Sequence, residues 1–533
     1  MSESEYNTMS SNIESIEKEI DTEFSQNQLI ELNYAQSIWT LLSVLEDDFL
    51  RNIINGSSNN AYSDTMLNAI SHPIRFLYKT KTDKVTARVN QNYVDQHFGW
   101  GLDWIDKSKI YDKFYSIFSL WHKNKLQIFI EGNHLNTDDW KNRKFKYEAY
   151  NRIIQEPNRK KIPNIDIDNM LGLLMANVSV TETKFKLNLN PKLAKTIIEN
   201  YTQIVDHIYD LPYFWSTSKF TYGEFKKVFI SIQALLYSML IVRINLAKAG
   251  MRGFDYSSAV WVVSHDELLS RIVRYSNIPA DKTKTIFEFL KYGSNDIRNP
   301  DVAIQPLIDL ENGFYALSPF VWLNSNAERN FCVLLNMIEV EKNIYSKLKN
   351  EKEVIFRDEV ISNVRNFGYE TINGRLDKTD LDIAIIDRSE KICVCIELKW
   401  FISPAEIREI DVRTEELAKG IEQTNKIIEL YKKNDSRLTN LLKIDNFYRV
   451  YFFVGSKNWI GSDDVQDIDI PIINMKLFLD KLAELRNLKL AADWFNNREY
   501  LPVEGTDYEI VPISLKLGKW HSSWYGIYLK GNK

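Results

Sequence analysis

The chain has 533 residues, of which 44% are hydrophobic and 26% charged, and its formal charge is −5. This excludes a disordered or collagen-like chain, and the length exceeds one ordinary core, so about two or three domains are expected. The acidic balance excludes a uniformly basic nucleic-acid coat and leaves any binding of DNA or RNA to local basic faces.

Three cysteines, Cys332, Cys393 and Cys395, make no disulfide framework, which fits a reducing cytoplasm. The first 21 residues are polar and acidic and carry no signal-peptide pattern. Apolar residues recur at helical spacing over 13–54 until Asn55-Gly-Ser-Ser-Asn-Asn60 breaks the pattern. The stretch to about 175 is aromatic and mixed; 126–130 reads as a strand. Within it, Lys141, Arg143, Lys144, Lys146, Arg152, Arg159, Lys160 and Lys161 face only Glu148 and Glu156. The segment reads as a solvated charged helix and loop or as a nucleic-acid-binding face.

Asn190-Pro191 opens a helix as cap and first residue. The most apolar run, 228–242, holds Ser231, Gln233 and Ser238; it falls short of the roughly 20 residues that cross a bilayer, so a buried helix and no membrane are expected. Ser264 and Glu267 form a capping box, beside which His265 and Asp266 read as cap residues. A helix over 281–292 stops at Gly293. Residues 1–300 thus form a helix-rich region with a recognition or regulatory role, as one or two subdomains.

The texture changes at Asn299-Pro300. Two short strands flank Glu311-Asn-Gly313, a helix covers 327–348, and 301–344 acts as a connector. A helix over 350–367 ends at Gly368. Strands follow at 369–372, 381–386 and 392–398, then a helix at 414–433 and strands at 447–454 and 470–474. A helix at 477–488 belongs to a flanking segment, 476–533. Helix, three strands, helix, strand is an α/β arrangement, a mixed sheet flanked by helices.

The chemistry concentrates on two of these strands. In 392–399 the period of two places Cys393, Cys395, Glu397 and Lys399 on one face. A carboxylate and an ammonium ending an apolar strand are costly unless a site uses them. Asp382, with Asp380 as alternate, opens the preceding strand. Two carboxylates near one point suit a hard cation such as Mg²⁺ or Mn²⁺, and a lysine beside them meets a phosphate or a water. Glu-x-Lys alone is weak, since Glu182-Thr-Lys184 and Glu224-Phe-Lys226 repeat it. No Cys/His spacing suggests zinc, no glycine-rich lysine loop suggests nucleotide hydrolysis, and His521 reads as structural.

Over residues 345–475 this order and these residues resemble the PD-(D/E)xK nuclease superfamily, the fold of type II restriction endonucleases, Holliday-junction resolvases and many phage-defence effectors. The resemblance implies a restriction-endonuclease-like sheet. It implies Asp382, Glu397, Lys399 and Gln423 as catalytic residues. It also implies Mg²⁺ or Mn²⁺ on Asp382, Glu397 and the Leu398 main-chain carbonyl. The family's helix glutamate is replaced: Arg357 stands in that place, and Glu353 or Glu359 would substitute. The expectation is a cytoplasmic metal-dependent endonuclease in phage or mobile-element defence. DNA is the first substrate and RNA the second, with a protein partner or trigger acting through the N-terminal half and oligomerisation open. A catalytically inactive scaffold of the same fold is the reading from another class.

Overall fold

The computed structural model describes residues 3–56, 60–81, 88–137, 140, 145–160, 167–181, 184–250, 256–376, 379–401 and 407–530. The chain divides into two compact units. The first comprises Met1–Asn136, Lys160–Tyr345 and Ser514–Ser522; the second comprises Thr137–Arg159, Ser346–Ile513 and Ser523–Lys533. This differs from a division at residue 300. The segment 301–344 belongs to the first unit, 476–513 joins the second, and 137–159 leaves the helix-rich half for the second unit.

The first unit is built on helices, among them Tyr34–Ile54, Asn60–Thr80, Asp95–His122, Pro191–Val205 and Tyr222–Lys248. Asn190 caps the helix that Pro191 opens, its side chain accepting from the Leu193 amide. The helix Tyr222–Lys248 opens on a capping box between Thr221 and Glu224. Its 27 residues are long and apolar enough to cross a membrane, but most of them are buried inside the protein, which makes it a core helix. Its polar residues are absorbed rather than disruptive: Gln233 donates to the Trp322 and Ser325 carbonyls, and Ser238 to that of Ala234. Trp261–Ser264, Phe314–Leu317 and Ile308–Asp309 make a small antiparallel sheet, joined through the Glu311–Gly313 turn, where both residues take positive φ. At Ser264 only half of the expected capping box forms. Ser264 accepts the Glu267 amide, while the Glu267 carboxylate turns to Arg271 at 2.6 Å.

The second unit is α/β. Its five strands are β1 (Glu370–Leu376), β2 (Thr379–Asp387), β3 (Ile392–Lys399), β4 (Arg449–Ser456) and β5 (Ile472–Asn474), in the order β5-β4-β3-β2-β1. The β1–β2 and β2–β3 pairs are antiparallel, and β3–β4 and β4–β5 are parallel. β3 is therefore central and buried, which accounts for its unbroken apolar run. Two long helices accompany the sheet: α1 (Lys342–Asn366) and α2 (Ile407–Lys432). α2 lies on the face carrying Cys393 and Cys395, where Ile427 enters a cluster with Leu381, Ala384, Ile386 and Leu442.

Two expected helices are broken in the structure. The one expected over 327–348 ends at Met337, and a 3-10 turn at Glu339–Glu341 intervenes before α1. The one expected over 477–488 becomes Met475–Leu485 and Leu488–Asn496, because Arg486 takes a left-handed φ of 48° and Asn487 caps the second piece.

The basic segment belongs in large part to this second unit. Lys146 begins a helix, Lys146–Lys160, that also contains Arg159 and Lys160 in its last turn. Lys141, Arg143, Lys144 and Lys161 lie outside the described residues. The helix is held by Asn151, whose amide donates to the Gly461 carbonyl at 2.9 Å and accepts from the Ile460 N–H at 3.1 Å. Tyr150 meets Tyr500 edge-on, and Arg152 pairs with Glu148 at 2.7 Å.

Candidate active site

The site grows out of strand register. The last antiparallel pair of β2 and β3 is Ile383 opposite Ile396, so one further step sets Asp382 opposite Glu397. Residues directly opposite share a face with Cβ atoms about 5 Å apart, and like charges there repel. Leu398 donates its N–H to Asp382 Oδ2 at 2.8 Å. A strand residue's N–H and C=O point to the same neighbour, so the Leu398 carbonyl is turned to the Asp382 side as well. Lys399 Nζ donates to Glu397 Oε1 and to Gln423 Oε1, each at 2.7 Å. The Glu397 and Lys399 side chains are only 6% and 16% exposed.

Gln423 reaches this point because α2 comes very close to the sheet at Gly420, one turn earlier. A Cβ at 420 would stand 3.1 Å from both Lys399 Cε and Val454 Cγ1, closer than most real contacts. Below Glu397 the same face continues as Cys395 and Cys393, buried with their sulfurs 3.9 Å apart. The neighbouring Cys393 thiol and burial keep Cys395 protonated well above the ordinary thiol range. Cys395, Thr424, Ile427 and Phe452 line a small cavity against Glu397. The carboxylates thus have an apolar floor.

The electrostatics follow from this placement. Burial and the facing Asp382 carboxyl push Glu397 up to about 7, against the opposing pull of Lys399. Burial also raises Asp382, opposed by the Leu398 N–H, Lys399 and Arg357. Glu353, half-buried on α1, is raised by burial and by Asp382 and Glu416, with Lys349 and Lys399 opposing. Of the two proposed substitutes for the family's helix acid, Glu353 is therefore the one within electrostatic reach of Asp382. Glu359 turns to Lys457 at 3.6 Å. Asp380 is exposed, opposite Arg375 on β1.

Among the described residues no three His, Cys, Asp or Glu side chains converge as a metal cage. Mg²⁺ needs none: it keeps most of its waters and takes one or two carboxylates with a substrate phosphate. Asp382, Glu397 and the Leu398 carbonyl supply such a donor set, all oxygen and all hard. Two facing buried carboxylates need a cation or a shared proton, and the set fits the ion on that ground.

Residues the sequence reading passed over join the site. The Leu398 amide fixes Asp382, and Gly420 makes room for Lys399. Glu416, on α2, gathers Lys349 from α1 and Arg413 at 3.0 Å beside the acids. Only Gly420, one turn before Gln423, left a trace in the sequence. The competing triplets are accounted for otherwise. Glu224 caps its helix and pairs with Lys282, while Lys226 is buried against Asp206 between the Tyr209 and Tyr213 rings. Glu182 lies outside the described residues. His265 stands behind the Ser264 cap, 3.3 Å from Asp309, and His521 is a strand residue in register with His134. Neither joins a catalytic group.

Compared with protein-family models, with curated proteins and with solved structures, the chain has no match in any of the three.

Proposed function

We propose that this protein is a metal-dependent endonuclease that hydrolyses phosphodiester bonds of nucleic acid, with DNA as the first substrate. One observation carries the reading: β-register sets Asp382 against Glu397 while Lys399 is held beside them by Gln423. The restriction-endonuclease-like fold belongs to the same proposal, supported by a five-stranded mixed sheet accompanied by α1 and α2, with Asp382 near the start of β2 and Glu397 near the end of the central strand.

A bound Mg²⁺ or Mn²⁺ would lower the pKa of a coordinated water and neutralise charge on the scissile phosphate. The chain's own groups do the rest. The Leu398 N–H fixes one oxygen of Asp382, holding that carboxyl against Glu397. Glu397 and Gln423 occupy two of the three N–H donors of Lys399, which aims the third at an attacking water or a phosphate oxygen. Charge developing on the phosphorus oxygens meets that ammonium in a site largely closed to solvent. The apolar floor of Cys393, Cys395 and Ile427 keeps the local dielectric low.

The test is direct. Purified protein is incubated with plasmid DNA and with RNA in Mg²⁺, Mn²⁺ or EDTA, beside Lys399→Ala. Cleavage in Mg²⁺ or Mn²⁺ that is lost in EDTA and in the variant supports the proposal. Full cleavage in EDTA, or by the variant, overturns it.

A further inference from the structure

Arg357 lies on α1 one helical turn beyond Glu353, so the two share a face of that helix. The buried residues of α1 include Phe356, Val360 and Val364, and Arg357 adjoins Phe356. Its guanidinium is in Coulomb reach of Asp382. Its Nε is buried and donates to no acceptor among the described residues. The neighbouring Asp358 carboxylate stands 3.8 Å away, beyond hydrogen-bond distance. A buried guanidinium N–H without an acceptor is costly, and its planar fork matches a phosphate. Lys399 has already committed two of its three donors to Glu397 and Gln423. Of the two cations in Coulomb reach of Asp382, Arg357 is the one with a buried N–H left without an acceptor among the described residues.

The formal charges around Asp382 point the same way. Four carboxylates, Asp382, Glu397, Glu353 and Glu416, stand against four cations, Lys399, Arg357, Lys349 and Arg413. One divalent ion and one phosphodiester leave that set within one charge of neutrality, whereas a second divalent ion would leave it strongly positive.

We infer that Arg357 binds the scissile phosphodiester directly, and that its fixed charge makes this a one-ion site. The inference rests on the nuclease reading and adds its substrate-binding residue.

The test has two arms on the full chain. In the first, Mn²⁺ binding without nucleic acid is followed by loss of the free-ion EPR signal. The wild type is expected to bind one ion that Asp382→Asn removes, and Arg357→Ala to leave that ion in place. In the second, KM, kcat and salt dependence are measured on a labelled DNA duplex and the matching RNA. Arg357→Ala should raise KM about tenfold and flatten the salt slope by about one contact, and Arg357→Lys should recover part of the loss. Matching thermal unfolding in Arg357→Lys separates this from misfolding. Two ions at the carboxylates of the wild type, or unchanged KM and salt slope in Arg357→Ala, overturn the inference while cleavage by the wild type keeps the nuclease reading. A wild type that cleaves neither substrate overturns both.

Discussion

Each unit buries a glutamate beside a basic side chain, and the two are satisfied in opposite ways. In the first unit Glu46 and Arg243 are both fully buried. Glu46 accepts from Arg243 Nη1 at 3.2 Å, from the Ser318 hydroxyl at 2.5 Å and from the Phe320 amide at 2.7 Å, so every neighbour is a donor. In the second unit Glu397 has one donor, Lys399, and faces another carboxyl. A carboxylate ringed by donors is a structural joint. One left facing its own kind leaves room for the ion proposed above.

The sharpest way to break this comparison is to remove one acid from each unit. Asp382→Ala, Glu397→Ala and Lys399→Ala should each reduce cleavage at least about a hundredfold, with strongly non-additive double variants, since the three serve one site. Glu397→Ala and Asp382→Ala should leave the thermal midpoint unchanged or higher without metal, because each ends a like-charge contact. Glu46→Ala should instead cost about 3–5 kcal/mol in denaturant unfolding, because it removes the buried carboxylate paired with Arg243 and leaves the Ser318 and Phe320 donors in the core. Equal destabilisation in both units would erase the distinction.

A smaller effect follows from pH. Without metal, the folded chain keeps a proton on Glu397 up to about pH 7, whereas the unfolded chain releases it near 4.5. The folded state binds more protons across that window, so stability should fall by up to about 3 kcal/mol as pH rises through it. Glu397→Gln should flatten that slope, and urea unfolding at pH 5 and 8 in EDTA measures it. Mg²⁺ should stabilise the wild type more at pH 8 than at pH 6, because the proton competes with the ion. A slope unchanged in Glu397→Gln would place the proton elsewhere.

The smallest expected change comes from Gly420→Ala. The added methyl would press Lys399 Cε and Val454 Cγ1, displacing the ammonium from Gln423. Cleavage should drop about tenfold with stability nearly unchanged, a loss that comes from misplacement of a catalytic group rather than its removal.

The second unit's strands were legible because a period of two in an apolar run is a local signal, and Glu397, Lys399 and Gln423 stood in sequence order along it. The pairing of Asp382 with Glu397 needed the register, which no single strand carries. The run 228–242 stops short of the helix Tyr222–Lys248 because Lys226, Lys227 and Arg243 bound it, while Ser231, Gln233 and Ser238 lie within it. In the core they are satisfied by carbonyls, one of Gln233's 89 residues away. The break at 338–341 has an equally distant cause: Glu341 leaves helical geometry to accept from the Ser218 amide and hydroxyl. The basic segment was assigned to the wrong half because nothing near Asn151 announces Gly461.

That clamp has a consequence for the order of synthesis. Asn151 and its partners at 460 and 461 are separated by 309 and 310 residues, so the helix leaves the ribosome long before the loop that receives it. A fragment starting at residue 346 would carry every candidate catalytic side chain and still lack this helix. During translation the unit stays unfinished until well past residue 461, and contacts of such span form late and slowly. The proposed cutting site would therefore be completed only after the loop at 460–461 has been made, long after the helix it receives has left the ribosome.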